Sequence, residues 1–203
     1  MVEELVGSMT SQMSMEFPDL SGKRIDLVKI NGKGLYDMHE YSTKPEFYEY
    51  LEFDPFKTIE ETRTYLDKLI TRSNSETGHY WFIKLRNENK IIGTFGLLDI
   101  DWRKGVTEIG YGLSPAFWGQ GYFKEALQMV SKYLFEKLNF HRVWAKTQSD
   151  NLHSIRALEN NGFIREGLLR DYYLSSSGRR HHAVVLSILR DEYFSLHGHK
   201  HII

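Results

Sequence analysis

Residues 108–126 read Glu-Ile-Gly-Tyr-Gly-Leu-Ser-Pro-Ala-Phe-Trp-Gly-Gln-Gly-Tyr-Phe-Lys-Glu-Ala. The run opens as a strand, breaks at Ser114-Pro115, and passes through a loop holding Gly119 and Gly121. A helix follows, with Phe123, Leu127, Val130, Leu134 and Leu138 on one apolar stripe. The start of a helix presents unpaired backbone N–H groups, and with the helix dipole these attract anions, phosphate above all. Gly119 and Gly121 remove side chains that would keep a pyrophosphate off that backbone. Gly-x-Gly alone fits a plain turn equally well. No Gly-Lys-Ser/Thr follows, so this is not a P-loop, and no third glycine makes it a dinucleotide fingerprint.

Upstream, Tyr80–Arg86, Lys90–Ile100 and Val106–Leu113 read as three strands. The polar turns 87–89 and 102–105 join them into an antiparallel meander. Before them, Thr58 and Glu61 form a capping box for a helix over 58–72, with Ile59, Thr62, Leu66, Leu69 and Ile70 on one face. A short helix is expected over 33–41, after a strand over 24–30 that Asn31-Gly32 ends. Downstream come a strand over 142–147 and a helix over 151–161 stopped by Gly162. Two strands, 163–174 and 180–189, close the chain. The order β-α-α-β-β-β-α-β-α-β-β is a mixed α+β fold and not a doubly wound one.

The chain has 203 residues, enough for one domain with a sizeable core. Its 26 basic and 27 acidic residues nearly cancel, which leaves no overall attraction for nucleic acid or an anionic membrane. It has no cysteine, which excludes disulfides, thiolate catalysis and thiolate metal ligands. His181-His182 alternates across a strand, and His197-x-His199-x-His201 lies at the end, so no metal site is expected. No apolar run reaches the ~18 residues of a membrane span, and residues 1–17 lack the pattern of a signal peptide. The expectation is a cytoplasmic protein with flexible tails at 1–17 and 197–203 around one domain at 18–196.

The run at 108–126 resembles the acetyl-CoA motif of the GNAT superfamily of N-acetyltransferases. The usual Gln/Arg-x-x-Gly-x-Gly/Ala falls on Trp118 to Phe123, where Gly121 matches and Trp118 and Phe123 replace the first and last residues. The ribosomal-protein-acetylating, RimJ/RimL-like branch is more similar, with its Glu-Ile-Gly-Tyr, Trp-Gly-x-Gly-Tyr and Glu-Ala elements all present. Asn151-Leu152-His153-Ser154 with Leu158-Glu159-Asn160-Asn161-Gly162-Phe163 resembles a second block of that branch. Arg170-Asp171-Tyr172-Tyr173 through Tyr193 resembles its closing block. The likeness runs from about Lys23 to Phe194.

The resemblance implies a central, mostly antiparallel seven-stranded sheet flanked by helices. It implies acetyl transfer from acetyl-CoA to a primary amine by direct attack, with no metal. The acceptor would be a ribosomal-protein N-terminus or a small amine, and the protein a monomer or homodimer without direct nucleic-acid or membrane contact. The coenzyme would be held by Leu113, Trp118, Gly119, Gln120, Gly121, Tyr122, Phe123, Lys124, Asn151 and Ser154. The family's strand here splays at a bulge, a place that Gly112-Leu113 fits, which makes the Leu113 N–H the oxyanion donor. Glu108, Gly110 and Gly112 share one strand face, where two glycines leave room for a ligand beside Glu108.

Glu108 is the candidate general base, through a water. Its other reading is a salt-bridging carboxylate. The family's usual tyrosine acid falls on Leu158, so the branch alternative Ser154 is the candidate acid, with Asn151 holding the coenzyme arm. Both residues are equally the types that cap a helix. Trp102, Tyr111 and Trp118 read as core or pocket wall, and one of Tyr172 and Tyr173 as facing the acceptor groove. Glu46, Glu49, Glu52, Asp54, Glu60 and Glu61 suit a cationic acceptor. A non-catalytic acyl-CoA-binding module with the same fold is the alternative.

Overall fold

The computed structural model describes residues 17–198. Eight strands form one sheet in the order β1-β2-β3-β4-β5-β6-β8-β7. They are β1 Leu20–Ser21, β2 Ile25–Lys29, β3 His79–Leu85, β4 Ile91–Asp101, β5 Val106–Leu113, β6 Arg142–Gln148, β7 Ile164–Leu174 and β8 Arg180–Leu189. Every neighbouring pair is antiparallel except β5 and β6. The expected α+β class and mostly antiparallel sheet are present. The strand beyond the seven expected is β1, whose two residues are too few to show a period.

Helices cover both faces, and alternation along the strands sorts their side chains between two cores. On β3, Tyr80 and Phe82 pack with α1 (Leu35–Ser42) and α2 (Ile59–Ser73). Trp81, Ile83 and Leu85 face α3 (Tyr122–Lys132) and α4 (Leu152–Glu159) on the other side. The capping box of α2 is formed as expected, with Glu61 N–H donating to Thr58 Oγ1 at 3.2 Å. Helix α3 runs into one wider π turn at Tyr133–Lys137, which buries Phe135 beside Leu134 and leaves Leu138 partly exposed. A last helix, α5 (Arg190–Leu196), follows β8 directly, and Glu192 accepts the Leu189 N–H at 2.8 Å.

The tail expected over 1–17 lies outside the described residues except for Phe17. That ring is buried, stacked on His79 at 4.5 Å and edge-on to Trp81. Of the tail expected over 197–203, only His197 and Gly198 are described, so His199 and His201 lie outside. Among the described residues no helix is long and apolar enough to cross a membrane.

Candidate active site at a fork in the sheet

Strands β5 and β6 run side by side for only three residue pairs, ending at Glu108 opposite Trp144. Beyond that point they separate, and the rest of β5 is paired only with β4. The Ser114 N–H donates to Ile92 O at 2.8 Å. Antiparallel bonding alternates, so Gly112, Gly110 and Glu108 also bond toward β4. The N–H and C=O groups of Ile109, Tyr111 and Leu113 therefore point to the opposite side, toward β6. Past the fork, Tyr111 and Leu113 turn theirs into the opening. Leu113 O accepts the Trp118 indole N–H at 2.7 Å, which places Trp118 at the end of that opening.

Two expectations about this strand need correction. No register shift lies at Gly112-Leu113; the irregularity in the β4–β5 ladder falls between Leu98 and Asp101. There Asp99 of β4 takes a φ of 47°, so the extra residue lies on β4, opposite Thr107 and beside the last β5–β6 pair, not at Gly112-Leu113. Nor do the two glycines leave open space. A Cβ at Gly112 would stand 2.7 Å from Phe47 Cζ, and one at Gly110 would stand 3.1 Å from Leu98 Cδ1. Both absent side chains make room for packed protein.

The loop after β5 has the geometry that suits a phosphate. Gly119 and Gly121 take φ of 70° and 82°, a region costly for residues with a Cβ. Helix α3 starts directly after Gly121, and its first backbone bond is Glu125 N–H to Gly121 O at 3.1 Å. The amides of Tyr122, Phe123 and Lys124 lie ahead of that bond, at the positive end of the helix dipole. Arg24, from the start of β2, braces this loop. It donates to Gln120 O at 2.8 Å and to Glu125 at 3.0 Å, and it covers the Tyr122 ring at 4.4 Å. Burial opposes the Glu125 charge, yet hydrogen bonds from Arg24, Lys23 and Ile25 outweigh it and hold the carboxyl below its usual range. Phe123 lies on the Tyr111 ring, centroids 4.0 Å apart.

Glu108 sits at the fork, 5% exposed. Lys146 of β6 lies beyond the last β5–β6 pair and reaches back to it, with Nζ 2.8 Å from both carboxylate oxygens. Of the two readings of Glu108, the ion pair is therefore formed. The ammonium also lies over Trp144 at 4.8 Å and Tyr172 at 5.5 Å. Burial works against the Lys146 charge, but Glu108 and Tyr172 outweigh it and raise the group. Of the two tyrosines, Tyr173 is the more buried. Burial, and then the nearby carboxylates of Glu108 and Glu52, push its phenol up.

At the start of α4, Asn151 Oδ1 accepts the Ser154 N–H at 3.0 Å, so the capping contact is present. The Ser154 side chain is engaged separately, 2.5 Å from the Tyr111 hydroxyl. Sequence reading placed Tyr111 in the wall but did not single out Lys146, Phe47 or Arg24. Each acts on a residue distant in the chain, and no local pattern marks such a partner.

Half of the six acidic residues expected to face a cation are spent on structure. Glu61 caps α2, Glu52 accepts the Leu174 N–H at 3.0 Å, and Asp54 accepts from Ser176 at 2.5 Å. The last two contacts clasp the 49–57 segment to the β7–β8 hairpin. His182 accepts the Asp171 N–H at 2.9 Å, and among the described residues no group of three or more His, Asp and Glu is placed to hold a metal.

Comparison with known proteins agrees with this geometry. Residues 24–164 match the family model described as acetyltransferase (GNAT) domain. An uncharacterized N-acetyltransferase, p20, of Bacillus licheniformis is 32% identical over 171 residues, covering 84% of this chain and 96% of its own. The crystal structure of a GCN5-related N-acetyltransferase from Brucella melitensis superposes with a TM-score of 0.79 at 26% identity, covering 88% of this chain and 81% of that one. RimL, the ribosomal L7/L12 alpha-N-protein acetyltransferase solved in complex with coenzyme A, shares the fold with a TM-score of 0.77. At 20% identity, over 86% of this chain and 99% of that one, it does not single out the ribosomal branch. With a family model over most of its length and a forked sheet ending in a glycine loop at a helix start, the chain belongs to the GNAT family and is an acetyl-CoA-dependent acyltransferase.

Proposed function

We propose that this protein transfers the acetyl group of acetyl-CoA directly to a primary amine, on a protein N-terminus or a small molecule, in the cytoplasm. The observation that carries this reading is the fork itself: strand amides face an opening that begins at Glu108, and Tyr111, on the strand beyond it, reaches Ser154. The pyrophosphate lies on the loop Trp118, Gly119, Gln120 and Gly121 and on the amides of Tyr122, Phe123 and Lys124. The pantetheine arm runs through the opening past Leu113 to Asn151 and Ser154.

In this reading the ammonium form of the acceptor gives one proton through a water to Glu108, and the neutral nitrogen then attacks the thioester carbon. The carbonyl oxygen becomes negative, and the Leu113 N–H, aimed into the opening, stabilises it. The C–N bond forms, the C–S bond breaks, and the electron pair leaves on sulfur. Ser154 supports that sulfur with its hydroxyl proton. After attack the nitrogen sheds its second proton as the intermediate collapses; in the net reaction one of the two protons ends on the coenzyme thiol and the other in solvent. Lys146 holds the Glu108 carboxylate in place throughout.

The test is Glu108→Gln, read as amine-dependent thiol release at neutral pH. The turnover number should fall ~100-fold, the low end of general-base contributions, while acetyl-CoA affinity is retained. Unchanged turnover would remove Glu108 from the chemistry and leave it as the partner of Lys146.

A further inference from the structure

The contact between Tyr111 and Ser154 joins residues that are 43 positions apart, one on β5 and one in the first turn of α4. Packing does not require the Tyr111 hydroxyl. The ring packs at a tilt against Phe123 at 4.0 Å and stacks with Phe95 at 6.0 Å, and a phenylalanine ring would make the same contacts. The hydroxyl instead reaches Ser154, whose own N–H is already taken by Asn151.

Each hydroxyl has one proton and can accept two hydrogen bonds. If Ser154 donated to Tyr111, its proton would be spent and none would remain for sulfur. If Tyr111 donates, the Ser154 proton is free to turn elsewhere. Phenols are more acidic than aliphatic alcohols, so the proton between the two oxygens belongs to the phenol. Burial pushes the Tyr111 phenol up to about 12, partly offset by Ser154, so it keeps its proton at any ordinary assay pH.

We propose that Tyr111 is a positioning residue for the leaving step, donating to Ser154 Oγ and so directing the Ser154 proton toward the departing sulfur. This rests on the reading of Ser154 as the group that supports the thiolate. No comparable partner is available from the usual family position, which is the apolar, buried Leu158.

A double-mutant cycle tests it. Tyr111→Phe, Ser154→Ala and the double variant are compared with the wild type by thiol release from acetyl-CoA, using the fastest primary amine of a peptide and small-amine panel. Tyr111→Phe should lower kcat about tenfold, the worth of one hydrogen bond, with KM for acetyl-CoA little changed. The double variant should be no slower than Ser154→Ala, because the two act as one unit. Wild-type kcat in Tyr111→Phe beside a slow Ser154→Ala would overturn the inference and leave the Ser154 reading standing. Additive losses would overturn it too. Wild-type kcat in both single variants would defeat the Ser154 reading, and this inference with it.

If Tyr111→Phe does not fold, 2,3-difluorotyrosine at 111 keeps the ring and hydroxyl but makes the phenol more acidic. An alkaline fall in kcat that the wild type does not show should then enter the assay range, and a profile unchanged from the wild type would overturn the proposal. Of the groups around Tyr111, Phe95 and Phe123 do not titrate, and Tyr173 is the ionisable neighbour coupled to it. The same substitution in a Tyr173→Phe background assigns that fall to the right phenol.

Discussion

The Lys146 ammonium lies 2.8 Å from each oxygen of the Glu108 carboxylate, across the point where β5 and β6 part. Both side chains are mostly buried, at 19% and 7% exposure, so each charge depends on the other. Lys146→Met should therefore strand a buried carboxylate and cost ~3–5 kcal/mol of stability. Urea unfolding of the wild type, Lys146→Met and Lys146→Met/Glu108→Gln checks this. The double variant should recover part of the loss, because it removes the stranded charge.

Gly121 takes a φ of 82° at the mouth of α3, and a Cβ there would stand 3.3 Å from Arg24 Nη2. Gly121→Ala should cost ~1–2 kcal/mol for the left-handed backbone and shift the loop against its brace. Initial rates at varied acetyl-CoA should show a KM raised several-fold with kcat nearly kept. An unchanged KM would mean that the coenzyme does not rest on this loop.

Much of this architecture was open to sequence reading, for reasons that particular residues show. Thr58 and Glu61 cap α2 through contacts three residues apart, and the meander is marked by polar turns at both corners. Local chemistry of this kind is written in adjacent letters. The two-residue β1 and the seven-residue α5 were not expected. The first is too short for a period, and the second follows β8 without an intervening turn signal.

The site divides in the same way. Gly119, Gly121, Asn151 and Ser154 stand at loop and cap positions that their neighbours announce. Lys146 meets Glu108 across 38 residues, and Phe47 fills the space over Gly112 from a different layer. Pairings of that kind arise when the sheet assembles, so the glycines were read as ligand space when they are packing space.

The capping box itself carries a prediction. Thr58→Ala removes the oxygen that accepts the Glu61 N–H at 3.2 Å. It should lower stability by ~1 kcal/mol. Denaturant unfolding should show the loss, and Thr58→Ser should restore most of it.

Glu166 on β7 pairs with Arg142 on β6 at 2.5 Å, at the end where β6 is still paired with β5. The Arg142 hydrogen bonds lower its carboxyl from the ordinary 4.5 to about 2, with Ser187 adding to the effect. A carboxyl depressed by folding contributes stability above its unfolded value, and that contribution is lost as pH falls from 4.5 toward 2. Its 40% exposed side chain keeps the size modest. Melting temperature measured from pH 6 to pH 2 should fall more steeply for the wild type than for Glu166→Gln. Parallel curves would mean that the pair adds nothing to stability.

The most direct test of the central claim is amine-dependent release of free thiol from acetyl-CoA, across a panel of N-terminal peptides and small primary amines. The account predicts release that requires both the coenzyme and a primary amine, and that saturates in each. Acetyl-CoA that raises the melting temperature with concentration but releases no thiol with any amine would contradict it, and would make the fork a binding site for an acyl-CoA sensor.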